Sequence, residues 1–261
     1  MKLGAQMYTV HDHTKNLKDF EESLKKIAEI GYKYVQVSGT CDFNSKWLRD
    51  MLKKYDLKCV ITHTNPDKLM NAGDYVIEEH NDFDCKYIGL GGMPNLWNGE
   101  VSLEQVIGDF KENFIPFMEK CKANGKYFMY HNHDLEFAKM ENGKTAWDVL
   151  IEDIPADLMG FTVDTYWIQK GGCNPSAVIR NLKGRCPVVH FKDYKMIREE
   201  GKRESVLAAC GDGNLDFADI IKACEDAGTE YIMVEQDNCF GEDPFVCLER
   251  SYKHLKGLGL E

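Results

Sequence analysis

Eight short β-rich runs alternate with longer amphipathic segments, and the alternation predicts an α/β fold: one (β/α)8 barrel domain over residues 1–261. The spacing agrees, because 261 residues shared among eight units give about 30 residues each, the usual size of one strand–helix repeat. A third observation weighs against the rival open, doubly wound sheet. No Gly-x-Gly-x-x-Gly follows the first strand, where the chain reads Tyr8-Thr-Val-His-Asp-His instead. No Pro/Gly/Ser-rich linker or composition shift divides the chain.

The strands are expected at residues 3–9, 34–37, 59–62, 87–90, 127–131, 161–164, 188–192 and 231–235. The first helix is expected over 16–30, where Leu17, Phe20, Leu24, Ile27 and Ala28 recur at helical spacing. Similar patterns predict helices over 44–55, 103–124, 145–153, 217–227 and 244–258. A weaker pattern over 68–81 is interrupted by Gly73. Gly31, Gly125 and Gly228 each follow a helical pattern and precede a strand, which suits a C-terminal cap needing positive φ.

Lys and Arg total 32 against 43 Asp and Glu, a formal net charge of -11 that weighs against nucleic acid and anionic membrane as partners. A composition of 43% hydrophobic and 29% charged residues is that of a globular chain with a sizeable core. The ten cysteines are scattered without a Cys-x-x-Cys pair, so neither a zinc knuckle nor a redox pair is signalled. The start, MKLGAQMYTV, has no apolar leader pattern, and no apolar run approaches the roughly 18 residues of a membrane span. Reduced thiols in a cytoplasmic protein are the expectation.

Strand C-terminal ends build the active site of such a barrel, so residues ending strands carry the functional argument. Six of the eight histidines fall there: His11, His13, His63, His131, His133 and His190; His80 and His254 lie in helical segments. Asp164 and Glu235 each close an apolar run, and His190 closes Pro-Val-Val-His. A carboxylate at such a position needs a partner, because desolvating it unpaired costs several kcal/mol. Two carboxylates and an imidazole at one mouth suit a divalent cation with oxygen and nitrogen ligands: manganese foremost, with cobalt, zinc or magnesium as alternatives. For the fourth ligand the choice leans to Glu136, since hard ions favour charged oxygen, with His131 as the alternative by strand register.

These residues resemble the xylose isomerase-like barrels, the superfamily of sugar and sugar-phosphate isomerases and epimerases, inosose dehydratases and apurinic-site endonucleases. The resemblance rests on four motifs in order: residues 130–137 (YHNHDLEF), 163–167 (VDTYW), 190–193 (HFKD) and 234–237 (VEQD). It implies a metal held by an acidic residue after the middle strand and then by Asp164, His190 and Glu235. The chain departs from many sugar epimerases in having His131 where they place a Glu, which brings it closer to the dehydratase-like branch.

The chemistry expected is proton removal beside a sugar carbonyl, with a divalent ion stabilising the enediolate. Glu235 is the candidate ligand and base, His133 the candidate acid or base, and Lys192 the group that polarises a substrate oxygen. His63, His131, Trp97, Tyr166 and Trp167 are candidate substrate contacts, the aromatic rings stacking on a sugar face. The leading expectation is a metal-dependent isomerase or epimerase of a ketose or polyol-derived substrate. Its rival is a dehydratase or lyase of a keto-sugar, keto-glycoside or keto-inositol. A non-catalytic sugar-binding protein is the alternative of a different class, and a nuclease fits poorly with an acidic chain. The stretch 193–213, with Lys195, Arg198, Lys202 and Arg203, is expected as a lid or subunit contact, and Asn214 or Asp216 as a helix cap. Barrels of this kind often pair, so a homodimer is an open expectation, although no exposed apolar stripe compels it.

Overall fold

Strands β1 (Lys2–Gln6), β2 (Tyr34–Val37), β3 (Lys58–His63), β4 (Tyr87–Leu90), β5 (Tyr127–His131), β6 (Met159–Asp164) and β7 (Val188–Phe191) lie parallel in chain order. The barrel closes because the last strand, Tyr231–Val234, pairs with both β7 and β1. Between β7 and this closing strand, β8 (Asp193–Glu199) and β9 (Lys202–Ala208) form a separate antiparallel hairpin, so the closing strand is β10. This computed structural model describes residues 1–199 and 201–261; Glu200 and the side chains of Glu199 and Lys202 lie outside what is described.

The outer ring consists of α1 (Leu17–Ile30), α2 (Ser45–Lys54), α3 (Pro66–Asn71), α4 (Gly73–Asp82), α5 (Leu103–Ala123), α6 (Ala146–Asp153), α7 (Thr165–Lys170), α8 (Pro175–Asn181), α9 (Phe217–Ala227) and α10 (Pro244–Gly257). Their apolar stripes and the outward strand residues make the main core, where Phe20, Leu24, Phe110, Phe114, Phe128 and Phe161 are fully buried. Strands covered on both faces bury nearly every residue, which explains their continuous apolar runs. A second cluster, of Val60, Ile61, Tyr87, Met129, Val188 and Met233, is built from strand residues alone and fills the barrel interior. Tyr34, Tyr127 and Tyr231, the first residues of their strands, pack against it and plug the N-terminal end.

The first strand is shorter than the expected 3–9. After Gln6 the chain winds into a 3-10 helix, Met7–His13, capped by the Gln6 side chain on the Tyr8 amide. The pattern over 68–81 becomes two helices, α3 and α4, broken at Ala72. Gly31, Gly125 and Gly228 take φ of 119°, 70° and 81°, as capping requires. Asp216 caps α9 through the Asp219 amide, whereas the Asn214 side chain accepts from the Met196 amide and anchors the hairpin.

The stretch expected as an extended loop is largely the β8–β9 hairpin. At its base the buried Asp193 carboxylate accepts from the amides of Tyr194, Gly211, Gly213 and Leu215 at 2.8 to 3.2 Å. All ten cysteines are free thiols. Among the described residues no helix is long and apolar enough to cross a membrane.

Candidate active site and metal centre

Adjacent strand ends set the geometry. In register, Asp164 on β6 faces His190 on β7, and Met233 on β10 faces the same His190, which puts Glu235 two residues above it. His131 ends β5 on the other side of β6. The side chains of His131, Asp164, His190 and Glu235 are buried, and each offers one ligand atom, all four within 4.8 Å of one another.

Polar partners around this cluster fix its orientation. His190 Nε2 lies 2.6 Å from Gln36 Oε1, so Nε2 carries the proton and Nδ1 keeps its lone pair. That Nδ1 stands 2.8 Å from Glu235 Oε2 and 3.9 Å from Asp164 Oδ2. The contact is short but lacks hydrogen-bond alignment, and His131 Nδ1, Asp164 Oδ2, His190 Nδ1 and Glu235 Oε2 have no hydrogen-bonding partner. Gln36 falls where the β2–β3 register shifts, an irregularity of the kind that re-aims a side chain. The Asn132 side chain accepts from the Asp164 amide at 2.9 Å and steadies the end of β6.

The His190 Nδ1 lone pair facing a carboxylate oxygen in a buried site is an arrangement that a bound cation would relieve. Donors at right angles around one ion at about 2.0–2.1 Å stand about 3 Å apart, close to the 2.8 Å between His190 Nδ1 and Glu235 Oε2. Two imidazoles and two carboxylates form a mixed donor set suited to zinc, manganese, cobalt or magnesium. The residues present therefore fit a divalent ion.

Lys192 supplies the charge already in place. It is 1% exposed, with Nζ 3.0 Å from Asp164 Oδ2, 3.1 Å from Glu235 Oε2 and 3.0 Å from Asp237 Oδ1. Burial alone would lower its pKa, but the three carboxylates outweigh burial and raise it. Burial likewise opposes ionisation of Glu235, yet the Lys192 ammonium 3.1 Å away holds its carboxyl far below the usual range. Asp164 is pushed up by burial against the pull of Lys192. Thr165 Oγ1 accepts from the Lys192 amide and donates to its carbonyl, pinning this backbone beside β6.

The remaining expected site residues distribute around this centre. His63 stacks near His131 and His190, with ring centroids 5.0 and 5.6 Å away, and burial lowers its pKa to about 3. His133 sits between Trp97 and Trp167, at 4.9 and 5.0 Å, and burial lowers its pKa to about 4. Gly92, at φ 156°, lets Trp97 lie over this site: a Cβ there would come within 2.7 Å of the indole. Trp167 also packs on Tyr166, at 4.8 Å, and under Lys192 Nζ, at 5.3 Å.

Glu136 does not join the converging group. Its carboxylate accepts from Tyr130 Oη at 2.7 Å and from the His133 amide at 3.0 and 3.1 Å, beneath the histidine loop. Burial pushes it up to about 7 against those bonds. His131, the alternative by register, stands in the cluster instead. Sequence reasoning missed Gln36, Asn132 and Asp237. Gln36 had a signal, a polar residue within Tyr-Val-Gln-Val, and Asp237 another, a second carboxylate two positions past Glu235.

A family model described as Xylose isomerase-like TIM barrel matches residues 24–245. No curated protein sequence matches the chain. Among solved structures, a sugar phosphate isomerase/epimerase from Parabacteroides distasonis superposes with a TM-score of 0.81 at 21% identity, covering 98% of this chain and 93% of that one. The IOLI protein with a binding zinc atom gives 0.72 at 14% identity, with 99% and 98% covered. A probable 3-DHS dehydratase, AsbF, from Bacillus anthracis gives 0.69 at 15%, with 98% and 99% covered. At these identities the likeness speaks to the fold.

Proposed function

The chain belongs to the xylose isomerase-like TIM barrel family, and from that premise we propose that it is a divalent-metal-dependent enzyme moving protons beside a carbohydrate carbonyl. The observation that carries the proposal is the convergence of four buried ligand atoms, from His131, Asp164, His190 and Glu235, with the Nδ1 atoms of both imidazoles left without a hydrogen-bonding partner. These four residues would hold the ion. A bound divalent ion supplies Lewis-acid charge to a carbonyl and its neighbouring hydroxyl.

The chain's own groups then divide the proton work. His133, kept neutral by burial, is a base poised between two indole rings that shelter it from water. It takes the proton from the carbon beside the carbonyl, and the electron pair released moves onto the carbonyl oxygen. The Lys192 ammonium, held in place by three carboxylates, would place a positive charge beside the substrate oxygen and polarise it. Returning the proton to carbon completes an isomerisation or epimerisation. His63, Trp97, Tyr166 and Trp167 wall the sugar.

A second reading, elimination, follows from the same residues. Once His133 has taken a proton from carbon it becomes the acid beside the departing β-oxygen, a role no carboxylate of β5 competes for, since that strand ends in His131. The test begins with elemental mass spectrometry of the intact protein and of Asp164→Ala and Glu235→Ala. About one equivalent of metal, lost in both variants, supports the reading; no metal after loading and desalting refutes it. Deuterium uptake by a turned-over sugar without elimination then identifies the isomerase, and an unsaturated product the lyase.

A further inference from the structure

The centre does not end at Lys192. Asp237 accepts from Lys192 Nζ at 3.1 Å and also lines a cavity of about 350 Å³, a size within the range of pockets that hold small-molecule ligands. One wall of the cavity is the 3-10 helix after β1, through Thr9, His11 and His13; the other is the loop between β10 and α10. The cavity is thus one ammonium group away from Asp164 and Glu235.

Its lining has a definite chemistry. Asp12, Asp237 and Glu242 contribute carboxylates, Asn238 an amide and His11 an imidazole, while no Lys or Arg is among the lining residues. His11 Nδ1 donates to the Tyr8 carbonyl and its ring stacks on Tyr8 at 4.7 Å, which fixes the ring with Nε2 3.6 Å from Asp12 Oδ1. Each carboxylate has a cation behind it, Lys192 on Asp237, Arg250 on Glu242 and Lys15 on Asp12, so the wall is charge-balanced and favours a neutral ligand rich in hydroxyl groups. At the rim Phe240 is 57% exposed and sits at φ 50°, a left-handed conformation that costs a bulky residue free energy. The Asn238 side chain helps hold it there, accepting from the Phe240 amide at 2.7 Å. A strained, outward aromatic ring beside planar polar groups is the combination that meets a sugar: hydroxyls on one side, C–H face on the other.

We propose that this cavity is a second sugar subsite, so that the substrate is a neutral glycoside or disaccharide whose reacting ring lies at the metal centre and whose other ring lies against Phe240. The proposal rests on the carbohydrate reading above and adds the substrate class. The probes are glucose, galactose, glucose 6-phosphate and a panel of glucose and galactose disaccharides of the common linkages in both anomeric forms, titrated calorimetrically into the metal-loaded protein. At least one disaccharide is expected to bind about tenfold or more tightly than its component monosaccharide. Phe240→Ala should remove that advantage, leaving monosaccharide affinity and metal content unchanged, and Phe240→Tyr should retain it. No advantage for any disaccharide, an advantage that survives Phe240→Ala, or preference for the phosphorylated sugar each overturns the subsite. Asp164→Asn separates the two readings. Loss of binding of both sugar classes supports the central site, whereas disaccharide binding undiminished in Asp164→Asn but lost in Phe240→Ala keeps the subsite and sinks the central reading.

Discussion

The two ends of this barrel each bury a cation, and they treat it differently. At the N-terminal end Arg185 donates to the carbonyls of Met159, Ile151 and Ile154 at 2.6 to 2.9 Å, neutral acceptors at the start of β6 and the end of α6. Tyrosine rings close the barrel beneath it. At the C-terminal end Lys192 faces three carboxylates, and imidazole nitrogens of His63, His131, His133 and His190 around it lack hydrogen-bonding partners. Buried polar groups are normally satisfied, so the end where they are not is the end shaped for something else to bind. One end holds the fold, and the other is where the proposed chemistry would lie.

The largest expected effect breaks the charged end outright. Asp164→Ala or Glu235→Ala should lower metal from about one equivalent to a trace, read by elemental mass spectrometry. Activity should fall by about a thousandfold or more, since a metal's charge is worth several kcal/mol to such a reaction. Exchanging the two cations sharpens the contrast. Lys192→Met leaves carboxylates facing one another and should cost about 3–5 kcal/mol in urea unfolding, much of it restored by added divalent ion. Arg185→Met, which orphans three carbonyls, should destabilise by a comparable amount with no rescue by metal.

Glu136→Gln tests a carboxylate that lies near the mouth but is hydrogen-bonded. Its folded pKa of about 7 exceeds the unfolded value of 4.5, so the native state keeps a proton that the unfolded chain has lost. Stability from this group is therefore greatest below pH 4.5 and declines as pH rises to about 7, by up to about 3 kcal/mol. The Gln variant should lose that part of the pH dependence, measured by unfolding between pH 5 and 8, while retaining its metal. The smallest effect belongs to the opposite end. Tyr127 Oη donates to the Ala156 carbonyl at 2.5 Å, and Tyr127→Phe should cost about 1 kcal/mol, or about 2–4 °C in Tm, with metal and turnover untouched.

The two ends also differ in how far the sequence discloses them. Strands 34–37, 87–90 and 127–131 are legible to the residue because a run buried on both faces is dominated by apolar and aromatic residues, with the polar exceptions Gln36 and His131 turned into the site. The first strand reads too long because Met7, Thr9 and Val10 stay buried after the chain has wound into a 3-10 helix. Helices α7 and α8 escaped notice for want of length, though Asn174-Pro175 is a clear start signal. The hairpin is hidden by its charged sequence, since neither face of it is buried enough to show alternation.

At the site, Asp164, His190 and Glu235 announce themselves as polar residues ending apolar runs. The choice between Glu136 and His131 turns on Tyr130 Oη, a tertiary contact that claims the Glu136 carboxylate and that no local pattern reveals. Gln36 and Asp237 are harder still, because their importance lies in partners 154 and 45 residues away.

That long reach has a consequence for how the protein comes into being. The tautomer of His190 is set by Gln36, which leaves the ribosome 154 residues earlier, and the two strands stand on opposite sides of the seam that β1 and β10 complete. A nascent chain ending before β10 holds both partners yet lacks Glu235 and the strand that brings them together. If the proposed ion binds, its uptake becomes a clock for barrel closure: ion captured during refolding should appear with the final cooperative phase, after most helical signal has already formed.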